Sequence, residues 1–252
     1  MKRLFLSLLA VSSALATPAN AQTANGDSPN GLSDPGSAFA GTSRGAWHAE
    51  VERTERGFRV GNPDAEAALI EFVSYTCGHC AHFEREGGGA LDLALLAPGH
   101  LTLEIRPVIR NAIDLTVSLL VQCGDDSGLK DRHRMYMLRQ SSWLGRASSA
   151  PQSQQQVWAS GSRTARLSAA RALDLDDMLA NTGMSMVDIN RCLSDDQAAR
   201  ALIDNANADH TEFAVAGTPS FALDGELLDG VHSWGALYPV LEQRFRPGSA
   251  PN

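Results

Sequence analysis

Apolar and polar positions along the chain fall into short strand-like runs at both ends and long helical stripes between them. Ala68 to Val73 is a six-residue run, apolar apart from Glu71, and reads as a buried strand. The turn signal Gly61-Asn62-Pro63-Asp64 precedes it. Ala81 to Leu96 has helical character, with Gly87-Gly88-Gly89 expected to bend or break the helix. Leu101, Leu103 and Ile105 alternate in a second strand, Leu101 to Val108, with Pro107 near its end. From 112 to 210 the pattern is helical almost throughout. Leu115, Leu119 and Cys123 share one face, Met186, Ile189 and Leu193 another, and Ala199, Leu202, Ile203 and Ala206 form a further inward stripe. Ser185 with Asp188, and Ser194 with Gln197, have capping-box spacing. Ser220 to Leu223 and Glu226 to Leu228, joined by Asp224-Gly225, predict a hairpin. The last helix carries Leu237, Tyr238, Leu241 and Phe245 on one face, with Pro239 in its first turns or kinking it. The predicted order is strand, helix, strand, a block of helices, hairpin, helix.

Composition places this pattern in an ordinary globular protein. The 252 residues are 43% hydrophobic and 20% charged, with a formal charge of −8. The absence of a basic run or basic-aromatic patch argues against nucleic acid as a partner. The first residues read as an export signal. Lys2 and Arg3 precede the apolar stretch Leu4 to Ala16, and Ala19-Asn20-Ala21 fits the small-x-small rule, which puts cleavage before Gln22. An uncleaved anchor is the alternative. Residues 22–46, rich in Gly, Ser, Asn, Asp and Pro, are expected to be a disordered leader, and 247–252 a loose tail.

The chemistry concentrates at Cys77-Gly78-His79-Cys80, where a strand is expected to pass into a helix. A cysteine at a helix N-terminus meets free N–H groups that favour its thiolate, the nucleophilic form. Two intervening residues bring the second thiol close enough to resolve a mixed disulfide. His79 can add a hydrogen bond or a positive charge. Two other readings compete: half a zinc site, with His82 as a third ligand, and an inert disulfide. Cys123 and Cys192 lie on apolar faces of the helical block, so a structural disulfide between them is expected, with two buried free thiols as the alternative. His48, His100, His133, His210 and His232 show no ligand spacing and are expected at the surface or in loops, whereas Trp143 and Trp158 are expected in the helical core or as surface caps.

Glu71-Phe-Val-Ser-Tyr-Thr-Cys77-Gly-His-Cys80-Ala-His-Phe83 closely resembles the active-site region of the DsbA-like branch of the thioredoxin superfamily. Gly217-Thr218-Pro219-Ser220-Phe221 resembles its second signature, the cis-proline loop facing the active-site disulfide. The long interval between the two suits that branch, which inserts a helical domain into a thioredoxin-like fold. The resemblance implies an α/β chain, with residues 47–110 and 208–246 forming a discontinuous thioredoxin-like domain and 111–207 the helical insertion. It implies Cys77 as nucleophile, Cys80 as buried resolving thiol and Pro219 as the cis-proline. Thr218 would hold a substrate segment through its backbone, and Glu71 would be a buried acid exchanging protons with Cys80; a solvent-exposed strand-edge carboxylate is the alternative for Glu71. Gly-His stands where the best-known members have Pro-His. It is the pair of protein disulfide isomerases, and this dipeptide tunes the redox potential.

The expected function is therefore oxidation of reduced or misoxidised exported polypeptides, in the periplasm or an equivalent exported location. A membrane redox partner would recycle the disulfide. No cofactor or metal is expected, and a monomer is. The alternatives are a reductase or isomerase using the same cysteines, and a non-enzymatic zinc or scaffold module. A dimeric isomerase needs a dimerisation domain, for which 22–46 is too short and polar.

Overall fold

The computed structural model describes residues 46–246. The expected signal peptide, its cleavage site, the leader up to residue 45 and the tail from 247 lie outside the described residues. A six-stranded sheet runs in the order β1-β2-β4-β3-β5-β6. The strands are β1 (Val51–Arg53), β2 (Phe58–Gly61), β3 (Ala67–Val73), β4 (Leu101–Pro107), β5 (Ser220–Leu223) and β6 (Glu226–Leu227). β3 and β4 are parallel, and every other pairing is antiparallel. β1 and β2 extend the sheet at one edge beyond the strands expected from sequence.

Side chains alternate across β3, so Leu69, Glu71 and Val73 share one face and Ile70 and Phe72 the other. The first face looks into the main core, which holds Cys80, Phe83, Leu91 and Leu103 and continues into the helical region through Tyr136 and Trp143. Phe72 packs with Val215 and Ala222 on the opposite face. There α10 (Asp196–Phe213) covers the sheet, and buried Asp209 accepts from Arg56 at 2.9 Å and Arg106 at 2.8 Å.

Between β3 and β4 the chain stays helical. α1 (Gly78–Phe83) and α2 (Gly89–Leu91) are joined by a wider, π-helical turn at 84–88, and another follows at 92–96. The three glycines therefore do not break the helix. They allow close approach: a Cβ on Gly87 would lie 2.6 Å from the Trp234 ring, and one on Gly88 2.5 Å from Glu84 Oε1.

The insertion is built from α3 (Ala112–Val121), α4 (Leu129–Leu138), α5 (Gln140–Ser149), α6 (Gln152–Ala159), α7 (Arg163–Ala172), α8 (Leu175–Ala180) and α9 (Met186–Leu193). Glutamines 152–156 begin α6 rather than forming a loop. Ser185 caps α9 by accepting from Asp188 N. The second expected cap is displaced by one residue. Ser194 closes α9, and Asp195 caps α10 by accepting from Gln197 N and Ala198 N at 2.9 Å each. α10 runs unbroken through 207, so the expected domain boundary falls inside a helix. Ile203 and Tyr238 leave their expected inward stripes and are exposed. Each sits at the margin of its stripe, where a small rotation turns a side chain to solvent. Pro239 lies in the second turn of α11 (Trp234–Arg244).

Candidate active site

β3 ends at Val73, and the turn Ser74–Thr76 delivers Cys77 to the head of α1, where it is the N-cap residue. No side chain caps α1, so its first N–H groups are left for the Cys77 sulfur. Cys77 and Cys80 are both unpaired here, so the site is in its dithiol form. Both are buried, Cys77 at 6% exposure and Cys80 at 1%.

The two sulfurs are treated oppositely. The Cys80 thiol donates to Cys77, and this is the largest cause of a Cys77 pKa pulled down to about 4. Burial opposes the shift, while the Thr218 hydroxyl and the backbone N–H groups of Cys80 and His79 reinforce it. For Cys80 the sign reverses: burial, the bond it gives to Cys77 and the Cys77 and Glu71 charges all push its pKa up.

The Thr218–Pro219 peptide bond is cis. It places Thr218 O 3.1 Å from Cys77 Sγ, which donates to it as the thiol. Thr218 Oγ1 is buried with no hydrogen-bond partner. Once the thiol ionises it can no longer donate, and this hydroxyl is placed to donate to it instead. His232 Nδ1 lies 2.8 Å from Pro219 O and braces the loop from outside.

Glu71 is 2% exposed, on the β3 face that looks towards α1, and burial raises its pKa well above the carboxylate range, with the Glu84 charge adding to the effect. A strand-edge carboxylate in solvent is excluded. The His79 imidazole is exposed and makes no hydrogen bond among the described residues; its backbone N–H is what reaches Cys77. Among the described residues no group of three or more His, Cys, Asp or Glu is placed to hold a metal ion.

Away from the site, Cys123 is bonded to Cys192 with Cα atoms 5.7 Å apart. Trp143 and Trp158 are buried. His133, expected at the surface, is buried in the core, its Nδ1 3.0 Å from Tyr75 Oη and its Nε2 3.6 Å from Glu84 Oε2. Sequence reading missed it because its partners lie far away along the chain. Gln140 and Asp114, which bond the Ser74–Cys77 turn, were missed for the same reason.

The sequence family described as thioredoxin matches residues 53–243. A solved structure described as a protein-disulfide isomerase, from Novosphingobium aromaticivorans, is 37% identical and superposes with a TM-score of 0.72, covering 74% of this chain and 95% of that one. Wolbachia pipientis alpha-DsbA1 shares the fold at 15% identity and a TM-score of 0.59, over 73% of this chain and 88% of that one. A Rickettsia bellii protein assigned by name to the protein-disulfide oxidoreductases is 26% identical over 172 residues, 68% of this chain and 58% of that one. A Rickettsia conorii protein of the same description is 25% identical over 167 residues, 66% and 52%. The chain thus spans little more than half the length of these curated relatives. The two signatures, the cis-proline facing a C-x-x-C pair and the family match across residues 53–243 place this chain in the thioredoxin family.

Proposed function

We propose that the protein is an exported protein-disulfide oxidoreductase that introduces disulfides into exported polypeptides through Cys77 and Cys80. The observation that carries this reading is the opposite treatment of the two sulfurs. A thiolate stabilised at Cys77 lowers the free energy of the reduced enzyme, which makes its disulfide the stronger oxidant.

In the oxidised enzyme a substrate thiolate attacks Cys77 Sγ. The Cys77–Cys80 bond breaks, a mixed disulfide forms, and Cys80 leaves as a thiolate. Cys80 is buried, so it takes up a proton, and the Glu71 carboxyl is the donor. A second substrate thiolate then attacks the substrate sulfur of the mixed disulfide, and Cys77 leaves as the stabilised thiolate. The substrate gains a disulfide, and its two electrons remain on the dithiol. A membrane redox partner accepts them and restores the Cys77–Cys80 bond. Thr218, next to the cis-proline Pro219, holds the substrate segment alongside Cys77 through its backbone, in the manner of an added strand. His79 supports the Cys77 thiolate through its backbone N–H.

Export is supported by the amino-terminal pattern and by the Cys123–Cys192 bond, which suits an oxidising compartment. No helix among the described residues is long and apolar enough to cross a membrane. Gly-His within the motif favours the isomerase as second reading. Equilibration with glutathione separates the candidates. A potential above about −200 mV supports the oxidant, and one near the thioredoxin value of about −270 mV supports the reductase. Recovery of scrambled ribonuclease activity well above that of a plain dithiol oxidant would support the isomerase.

A further inference from the structure

The turn that carries the nucleophile is gripped from outside the thioredoxin-like part of the chain. Gln140, the first residue of α5, is buried, and its Nε2 donates to Tyr75 O at 2.7 Å and to Cys77 O at 2.8 Å. Asp114, in the first turn of α3, is fully buried. Its Oδ1 accepts from Thr76 N and Ser74 Oγ, both at 2.8 Å, and its Oδ2 from Thr76 Oγ1 and Arg110 N, both at 3.1 Å. Arg110 Nε and Asn111 Nδ2 add bonds to Ser74 Oγ at 2.9 Å and Thr76 Oγ1 at 2.8 Å. Each of the four residues from Ser74 to Cys77 is thus tied to the helical insertion or the segment leading into it. Within the turn, the hydrogen bond from Cys77 N to Ser74 O, at 3.1 Å, is the tie that closes it.

Core filling alone does not account for Gln140. Two carbonyl oxygens converge on one nitrogen, and a side-chain amide supplies the two N–H groups they need. A methionine would fill the volume but take this donor from both carbonyls, leaving Cys77 O only the Ala81 N–H at 3.3 Å, and a glutamate would turn lone pairs on them. The bonds that favour the Cys77 thiolate are short-ranged and weaken steeply with misalignment. A turn free to pivot would therefore lose them even with the fold intact.

We propose that Gln140 and Asp114 are positioning residues, through which the helical insertion holds the Cys77 sulfur in register with Thr218 and with the N–H groups of His79 and Cys80. On this inference, which rests on the reading of Cys77 as the nucleophile, the insertion sets how strongly the site oxidises.

Gln140→Met in the full chain tests it. The readouts are Cys77 thiolate absorbance against pH, the equilibrium constant with glutathione, and the melting temperature. The Cys77 midpoint should rise by about one unit, a tenfold loss of thiolate in the titrating range, and the equilibrium constant should become about tenfold less oxidising in parallel. Ser168→Ala is the control. It deprives the buried Trp158 indole of its 3.2 Å partner, so it should lower the melting temperature and leave the Cys77 midpoint in place. Should Gln140→Met not fold, Thr76→Val decides, since Thr76 is only half-buried and the change removes its hydroxyl from Asp114, Arg110 and Asn111. A folded variant with reduced melting temperature but an unmoved midpoint and equilibrium constant overturns the inference alone. A wild-type Cys77 titrating near the free-thiol value of about 8.5 would instead sink the reading on which it rests.

Discussion

Raising the pH from 5 to 8 should lower the redox potential of the Cys77–Cys80 pair by only about 30 mV per pH unit. Reducing a disulfide takes two electrons and as many protons as the dithiol keeps. Cys77, held at about 4, keeps none in this range, while Cys80, pushed up by burial, keeps one. One proton per two electrons gives about 30 mV per unit, against about 59 mV for a pair that keeps both. The same shift sets the absolute value. Relative to a nucleophile titrating near 7, as in thioredoxin, a pKa of about 4 favours the reduced form at pH 7 by roughly 4 kcal/mol, or about 80 mV, which moves a potential of about −270 mV to about −190 mV. The sign follows from linkage. The folded pKa lies below the unfolded one of about 8.5, so the stabilisation of the reduced protein is fully present above 8.5 and lost as pH falls through 4. Anaerobic equilibration in glutathione buffers at pH 5, 6, 7 and 8, with alkylated thiols counted by mass, measures both slope and offset. A slope near 59 mV per unit throughout would refute the reasoning, because it would mean that Cys77 keeps its proton.

Four further outcomes are expected. Cys80→Ser should trap mixed disulfides with substrate on non-reducing gels and Cys77→Ser almost none; the reverse pattern would exchange the two roles. Replacing Cys123 and Cys192 together by alanine opens a loop spanning 69 residues of sequence separation and should cost about 4 kcal/mol by denaturant titration, with the Cys77 midpoint unchanged. Glu71→Gln should slow the proton-coupled departure of Cys80 in stopped-flow kinetics. It should also remove a loss of stability: the raised Glu71 pKa favours the fold fully below the unfolded value of about 4.3, and that contribution is lost as pH rises towards the folded pKa. Thr218→Val, which deletes the unpartnered hydroxyl, should raise the Cys77 midpoint with little change in melting temperature, and a lower midpoint would exclude the thiolate contact.

Local pattern carried the reading where function depends on neighbours in sequence. The apolar run of β3, the C-x-x-C at its exit and the Asp-Gly turn all stand as expected, with Asp224 at φ 51° and Gly225 at φ 89°. β1 and β2 escaped because they are three and four residues long and charged at Glu52, Arg53 and Arg59, although Phe58 and Val60 do alternate. Asp195 rather than Ser194 caps α10 because α9 ends on Ser194, a competition that spacing does not display. Gln140, Asp114 and His133 sit 38 to 65 residues from their partners in the Ser74–Cys77 turn, beyond the reach of any periodicity. Burial of Glu71 was implied by resemblance, and the alternation of β3 gives its cause, since it shares a face with Leu69 and Val73.

The glycine triplet also sets what protein engineering can do to this helix. Replacing helical glycines with alanine is a standard stabilising substitution, gaining about 1 kcal/mol where the new methyl group finds room. At position 87 the methyl would run into the Trp234 ring and at 88 into the Glu84 carboxylate, whereas nothing lies within 4 Å of the same methyl at 89. Three adjacent letters that look interchangeable therefore have separate tolerances. Only the third can be optimised for helix formation, and the first two record how closely α11 and a buried carboxylate crowd the backbone that follows Cys77 and Cys80.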